Sequence, residues 1–175
     1  LIMSEKVYKK AKNIAIIDHH RRNPDAISNF KYIYIQPSAS STVELVVEMF
    51  NFTKKQIVVP EIEATWMLMG ILVDTNNFIY RTTFRTFDVL SKLQSYGADT
   101  AKAQRLLREN YDEYTKKMEV ISKLEMLDDG VGLTVCDNDE IYDRTFLAKI
   151  ADTVITFDKI KVSFCIGRIN KTQVG

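Results

Sequence analysis

Residues 13–22 read Asn-Ile-Ala-Ile-Ile-Asp-His-His-Arg-Arg. The apolar run Ile14 to Ile17 gives way within one residue to Asp18, His19, His20 and Arg21, a change from strand composition to metal and phosphate chemistry. A short continuous apolar run suits a strand covered on both faces, and in open α/β sheets ligands bind just beyond the carboxyl ends of such strands. The stretch therefore predicts an α/β fold with a parallel sheet and Asp18-His19-His20 at its ligand-bearing end. These are the only two histidines in 175 residues. Two histidines placed at random in such a chain would be neighbours about once in ninety times, so the pair marks a site better than chance does.

Working outward, bulk properties narrow the function classes. With 24 Lys+Arg against 23 Asp+Glu the net charge is +1, which provides no general attraction for nucleic acid or an anionic membrane. An anionic substrate has to be gathered locally. The two cysteines, Cys136 and Cys165, have no CxxC spacing and no adjacent histidine, which argues against zinc-finger or redox chemistry and for small core residues in a reducing compartment. No apolar stretch is long enough to span a bilayer and no signal peptide opens the chain.

Before the central stretch, Ser4 to Lys12 has Val7 and Ala11 at helical spacing, and after it Asn23-Pro24-Asp25 breaks the chain. Phe30 to Ile35 is a second strand, dense in aromatic and β-branched residues. Ser41 and Glu44 make a capping box for a helix with Val43, Val46, Val47 and Phe50 on one face. The start of that helix, Ser41-Thr42, is a potential phosphate cradle, though a well-capped helix needs no ligand to explain it. Pro60 opens a further helix in which Ile62, Trp66 and Met69 trace a buried stripe. Its apolar run ends at Asp74-Thr75-Asn76-Asn77-Phe78, the second place where hydrophobic structure delivers a carboxylate into a polar turn.

Thr86-Phe87-Asp88 caps another helix with Phe87, Leu90 and Leu93 inward. Tyr111, Tyr114, Met118, Ile121 and Leu124 then recur at helical spacing in a connecting helix that Asp128-Asp129-Gly130 closes. The predicted organisation is a first domain over residues 1–108, a connecting helix over 109–129 and a second, smaller α/β domain over 130–175. That second part has a strand at Leu133 to Cys136, a helix from Asp143 to Thr153 and a strand in which Ile160, Val162, Phe164 and Ile166 form one covered face.

An imidazole nitrogen from His19 and a carboxylate oxygen from Asp74 form a mixed donor pair suited to manganese, iron or zinc more than to calcium. Asp18 fits a supporting role, since metal-bound histidines usually give their other N–H to a carboxylate. His20 is placed to face a phosphate and move a proton, and Arg21 to clamp phosphate oxygens. A two-metal site needs roughly twice as many protein ligands as His19 and Asp74 provide.

Ile16-Ile17-Asp18-His19-His20-Arg21, Ser40-Ser41-Thr42-Val43-Glu44-Leu45, Gly70-Ile71-Leu72-Val73-Asp74-Thr75 and Arg85-Thr86-Phe87, in that order, resemble the DHH/DHHA1 phosphoesterases. The basic continuation Asp-His-His-Arg-Arg-Asn-Pro-Asp and the Val-Asp-Thr-Asn-Asn-Phe turn are most similar to those of bacterial cyclic-di-AMP phosphodiesterases of the GdpP type. The resemblance implies metal ligation by His19 and Asp74, catalysis by His20 supported by Asp18, and substrate binding by Arg21, Ser41 and Thr42. It further implies two manganese ions and cleavage of a cyclic dinucleotide to a linear one, within the cytoplasmic domain of a membrane-anchored bacterial protein. This chain itself would touch neither membrane nor long nucleic acid, and a homodimer is compatible with the family.

By the same resemblance residues 1–108 are a DHH domain lacking its first part and residues 130–175 the start of a DHHA1 domain. The early His-x-x-x-Asp-x-Asp ligands would precede Leu1 and the glycine-rich substrate motif would follow Gly175. The chain starts at Leu1 rather than Met, in keeping with a piece of a longer protein that by itself binds metal weakly and turns over poorly. Two other functions compete: a DHH-type oligoribonuclease acting on short linear nucleotides, and a non-catalytic nucleotide-binding or interaction module.

Overall fold

The apolar run of residues 14–17 forms β1, Ala15–Asp18, and it pairs in parallel with β2, Tyr32–Ile35, in a register from Ala15 opposite Tyr32 to Asp18 opposite Ile35. The computed structural model describes residues 5–21 and 29–175. Ser4 and the expected break at Asn23-Pro24-Asp25 lie outside the described residues. The α/β class and parallel pairing are as expected, but the burial is not. Ile16, Ile17 and Asp18 are half-buried, and Tyr32, Ile33 and Tyr34 are exposed. An apolar run satisfies a strand covered on two faces without requiring that cover, so composition alone overstates the burial.

The chain divides into two compact units, Leu1–Arg108 and Glu109–Gly175. In the first, α1 (Glu5–Lys10) leads into β1, and α2 (Thr42–Met49) follows β2. α3 (Glu61–Asp74), α4 (Phe84–Ser95) and α5 (Thr100–Leu106) complete it. Their core contains Val47, Leu68, Ile71, Leu72, Val89 and Leu93. α2 packs on β1, α3 and α4, so the strand end that carries the histidines is backed by the helical layer.

Two expected faces differ. The buried side of α3 is Ala64, Thr65, Leu68, Ile71 and Leu72, whereas Trp66 and Ile62 are exposed. α3 is apolar over most of its circumference, and periodicity cannot choose a face where polar contrast is missing. On α4, Leu93 is buried but Phe87 is exposed, while Thr86 takes an inward position because its hydroxyl donates to the Glu44 carboxylate at 3.0 Å.

In the second unit, the amphipathic segment forms α6, Tyr111–Ile121, shorter than the expected 109–129 helix. Glu125–Leu127 is instead β3, antiparallel to β4 (Val131–Val135), because backbone pairing with β4 competes successfully for these residues. β4 pairs in parallel with β5, Val162–Ile166, and α7 (Arg144–Val154) crosses between them. α6 belongs to this unit's core through Val120 and Ile121, beside Phe146, Leu147, Ile150 and Val154.

The covered face of β5 is the reverse of the expected one. Val162, Phe164 and Ile166 are exposed, while Ser163 and Cys165 turn toward α7. Ser163 donates its hydroxyl to the Ala151 carbonyl at 2.8 Å, and a Cβ on Gly167 would lie 2.7 Å from the Leu147 side chain. Small residues let the helix approach closely, and strict alternation identifies two faces without saying which one is covered. Beyond β5 the chain turns at Asn170 and Arg168 bridges antiparallel to Val174. Cys136 and Cys165 are free thiols, buried and half-buried.

Candidate active site

Parallel pairing brings the ends of β1 and β2 to the same edge. The Gln36 N–H donates to the Asp18 carbonyl at 3.0 Å, extending the β1–β2 ladder by one bond, and Pro37 and Ser38 follow beside the histidines. Just past β1 the two histidines separate in burial: His19 is 5% exposed and the His20 side chain 71%. Their rings meet edge-on, with centroids 4.3 Å apart. One histidine is thus held inside the fold and the other is presented to solvent.

His19 Nε2 lies 3.5 Å from Oδ2 of Asp74, the last residue of α3. This spacing is too long for a strong hydrogen bond. It does match two donors sharing an ion, since ligands about 2.1 Å from one metal stand about 3.0 to 3.5 Å from each other. Among the described residues, His19 Nδ1 is buried with no hydrogen-bond partner. Donor atoms of Asp18, His19 and His20 also lie within 4.8 Å of one another. An imidazole nitrogen, His19 Nε2, beside a carboxylate oxygen of Asp74 fits a divalent transition metal.

Asp18 serves a different histidine from the expected one. Its Oδ1 lies 2.7 Å from His20 Nδ1 and accepts the His20 backbone N–H at 3.1 Å, with no such bond to the His19 ring. The two-residue separation closes a local ring through the backbone, a geometry that an aspartate makes readily with the residue two positions on. Burial works to raise the Asp18 carboxyl, but hydrogen bonds from the His20 side chain and from the His20 and His19 backbone hold it below the ordinary value. An ionised carboxylate only accepts, so the proton between them belongs to His20 Nδ1 and Nε2 is left for chemistry.

Asp74 is positioned by the turn after α3. Thr75, fully buried, donates its hydroxyl to the Ile71 carbonyl at 2.7 Å and accepts the Phe78 N–H at 3.0 Å. Asn77 N–H donates to the Leu72 carbonyl at 2.8 Å, and Gln104 donates to Asn77 Oδ1 at 3.0 Å. Asn76, Asn77, Phe78 and Arg81 all have positive φ, between 45° and 67°. Strained backbone of this kind persists only where surrounding bonds over-determine it, and it concentrates at functional sites.

A cavity of about 700 Å3 opens at the histidines and is lined by His19, His20, Arg21, Ser38, Arg81 and Thr83, among others. Arg21 is exposed and on its wall, while Ser41 and Thr42 do not line it. Ser41 is fully buried and its hydroxyl accepts the Glu44 N–H at 3.1 Å, the ordinary work of a helix cap. Glu44, also fully buried, accepts from Ser40 Oγ at 2.6 Å and from Thr86 Oγ1 at 3.0 Å. It reaches one residue further back than a capping box requires. Arg85 sits 3.5 Å from Glu44 and forks onto Glu48 at 2.7 and 2.6 Å, a bond that raises its already high pKa. This network ties the Ser38–Ser41 segment to the start of α4, and so two walls of the cavity to each other.

Sequence reasoning did not single out Arg81, Ser38 or Thr83. The available signal was the Asn76-Asn77 pair, which marks a turn with positive φ and so announces that the chain doubles back toward the strand ends.

Residues 3–71 match the DHH family, N-terminal domain. The chain is 38% identical over its whole length to the cyclic-di-AMP phosphodiesterase GdpP of Geobacillus thermodenitrificans and covers 27% of that protein. It is 37% identical over 95% of its length to the cyclic-di-AMP phosphodiesterase PdeA of Listeria monocytogenes, of which it covers 25%. It therefore spans about a quarter of the length of these relatives. An exopolyphosphatase-related protein from Bacteroides fragilis shares the fold, with a TM-score of 0.78 at 19% identity over 93% of this chain and 49% of that one. No helix among the described residues is long and apolar enough to cross a membrane.

Proposed function

Residues 3–71 of the chain are a DHH-family N-terminal domain, and from that premise we propose that the protein hydrolyses cyclic di-AMP to linear pApA with the help of manganese. DHH phosphoesterases are metal-dependent hydrolases, and relatives that align over 95% or more of the chain include cyclic-di-AMP phosphodiesterases. The observation that carries the proposal is the division of labour between the paired histidines: His19 is buried with Asp74 at 3.5 Å, and His20 is exposed with Asp18 at 2.7 Å.

His19 and Asp74 would hold metal, and divalent ions bound there neutralise phosphate charge and make water a nucleophile at neutral pH. The chain's own residues do the rest. Arg21 binds the phosphate oxygens by charge-assisted hydrogen bonds. Asp18 holds the His20 ring by Nδ1, which leaves Nε2 of this cavity-lining residue free. As water adds to phosphorus and the P–O3′ bond breaks, the proton the water sheds is lost to solvent, His20 in its doubly protonated form gives its Nε2 proton to the departing 3′ oxygen, and solvent then restores it. One bond opens, leaving a 5′-phosphate and a 3′-hydroxyl on the linear product.

A two-metal site needs more ligands than His19 and Asp74 provide. The 175-residue chain alone is accordingly expected to bind manganese weakly and turn over slowly, with full activity in the longer protein. Chromatography of cyclic di-AMP and linear pApA incubated side by side with manganese tests the assignment. Conversion of the cyclic compound to pApA supports it, and faster cleavage of the linear compound favours an oligoribonuclease instead.

A further inference from the structure

The cavity at the histidines is lined by two arginines that arrive from different parts of the fold. Arg21 follows the His19-His20 pair directly, and Arg81 lies at the far end of the strained turn between α3 and α4. The nearby Arg85 is fully committed to Glu48. Among the described residues, neither Arg21 nor Arg81 has an ion-pair partner, and no carboxylate lines the cavity. Two guanidiniums sharing one cavity repel each other, and bound anions relieve that repulsion.

Arg81 is also held where it is. Its φ of 56° is one that an L-residue rarely adopts, and the bonds around Thr75 and Asn77 brace the turn that leads to it. Thr82 and Thr83 beside it line the cavity with hydroxyls and add no negative charge.

We propose that Arg21 and Arg81 form a two-point receptor for the two phosphates of one dinucleotide. Arg21, next to His20, takes the phosphate that is cut, and Arg81 takes the one that is not. The assignment rests on the phosphodiesterase reading above and adds to it the residue that selects a ligand with two phosphates over a ligand with one. Arg81 acts in recognition only and performs no step of the reaction.

Equilibrium binding of two probes, cyclic di-AMP with two phosphates and the dinucleoside monophosphate ApA with one, tests this on the manganese-loaded protein that carries this chain. The readout is the ratio of the two affinities. In Arg81→Met the preference for cyclic di-AMP over ApA falls about 10- to 100-fold, the span of one charge-assisted hydrogen-bonded contact. Arg81→Lys, which keeps the charge and loses the fork, retains part of it. An unchanged ratio in Arg81→Met, with circular dichroism showing an intact fold, overturns the proposal. Hydrolysis assayed in parallel separates the two claims. Binding with the expected ratio but without cleavage upholds the receptor and sinks the phosphodiesterase reading, whereas cleavage with an unchanged ratio does the opposite.

Discussion

His20 Nδ1 lies 2.7 Å from Oδ1 of Asp18, while His19, between them in sequence, turns inward to Asp74. Adjacent residues leaving a strand end point in different directions, and here the backbone assigns one imidazole to the interior and one to the cavity. The Asp-His-His order is thus a geometric device: the first residue orients the third and the second is left free for a different partner.

Asp18→Asn keeps the size of the side chain and removes the anion that fixes the His20 tautomer. We predict that kcat on cyclic di-AMP falls about 100- to 1000-fold while KM changes little, within the range general acid–base groups contribute. Steady-state kinetics check this. An equal loss through KM would place Asp18 in substrate or metal binding instead.

Glu44 is fully buried and joins Ser40, Thr86 and Arg85 beneath the site. Replacing it with Ala leaves the Ser40 and Thr86 hydroxyls without their acceptor and removes an ion-pair partner of Arg85. Breaking such a network costs about 3 kcal/mol, visible as a fall of roughly 10 °C or more in the melting temperature of a unit this size. Little change in the melt would mean that water replaces the carboxylate freely.

In the second unit, burial pushes the Tyr142 phenol up to about 12, with help from Glu140, and burial together with Cys136 pushes the Cys165 thiol up to about 12. Both folded-state values lie above those of an unfolded chain, about 10 and 8.5. The folded form therefore keeps protons that the unfolded form releases, and stability present below about pH 8.5 is lost as pH climbs toward 12. Urea unfolding at pH 8 and pH 11 should show a lower midpoint at the higher pH. Cys165→Ala should narrow the gap, and an unchanged gap in that variant would contradict the assignment.

The features legible in the sequence were those that short-range order decides. Residues 13–22 place a strand and its terminal Asp-His-His from composition alone, and Ser41 announces the start of α2 because a cap is a local bond. The pairing of His19 with Asp74 was legible as chemistry, since few residue types make such a donor set. The covered faces of α3 and β5 were not legible. An all-round apolar helix and a strictly alternating strand each admit two packings, and only the neighbouring element decides between them. Arg81 was hidden for a related reason: its role depends on where a strained turn returns the chain, a tertiary fact with no periodic signature.

In the proposed mechanism the exposed histidine of the pair carries phosphodiester hydrolysis. Chromatography of cyclic di-AMP incubated with manganese and the protein that carries this chain, as wild type and as His20→Ala, tests it most directly. Linear pApA is expected from the wild type, with a loss of at least about 100-fold in its formation by His20→Ala. Undiminished pApA formation by His20→Ala would contradict it.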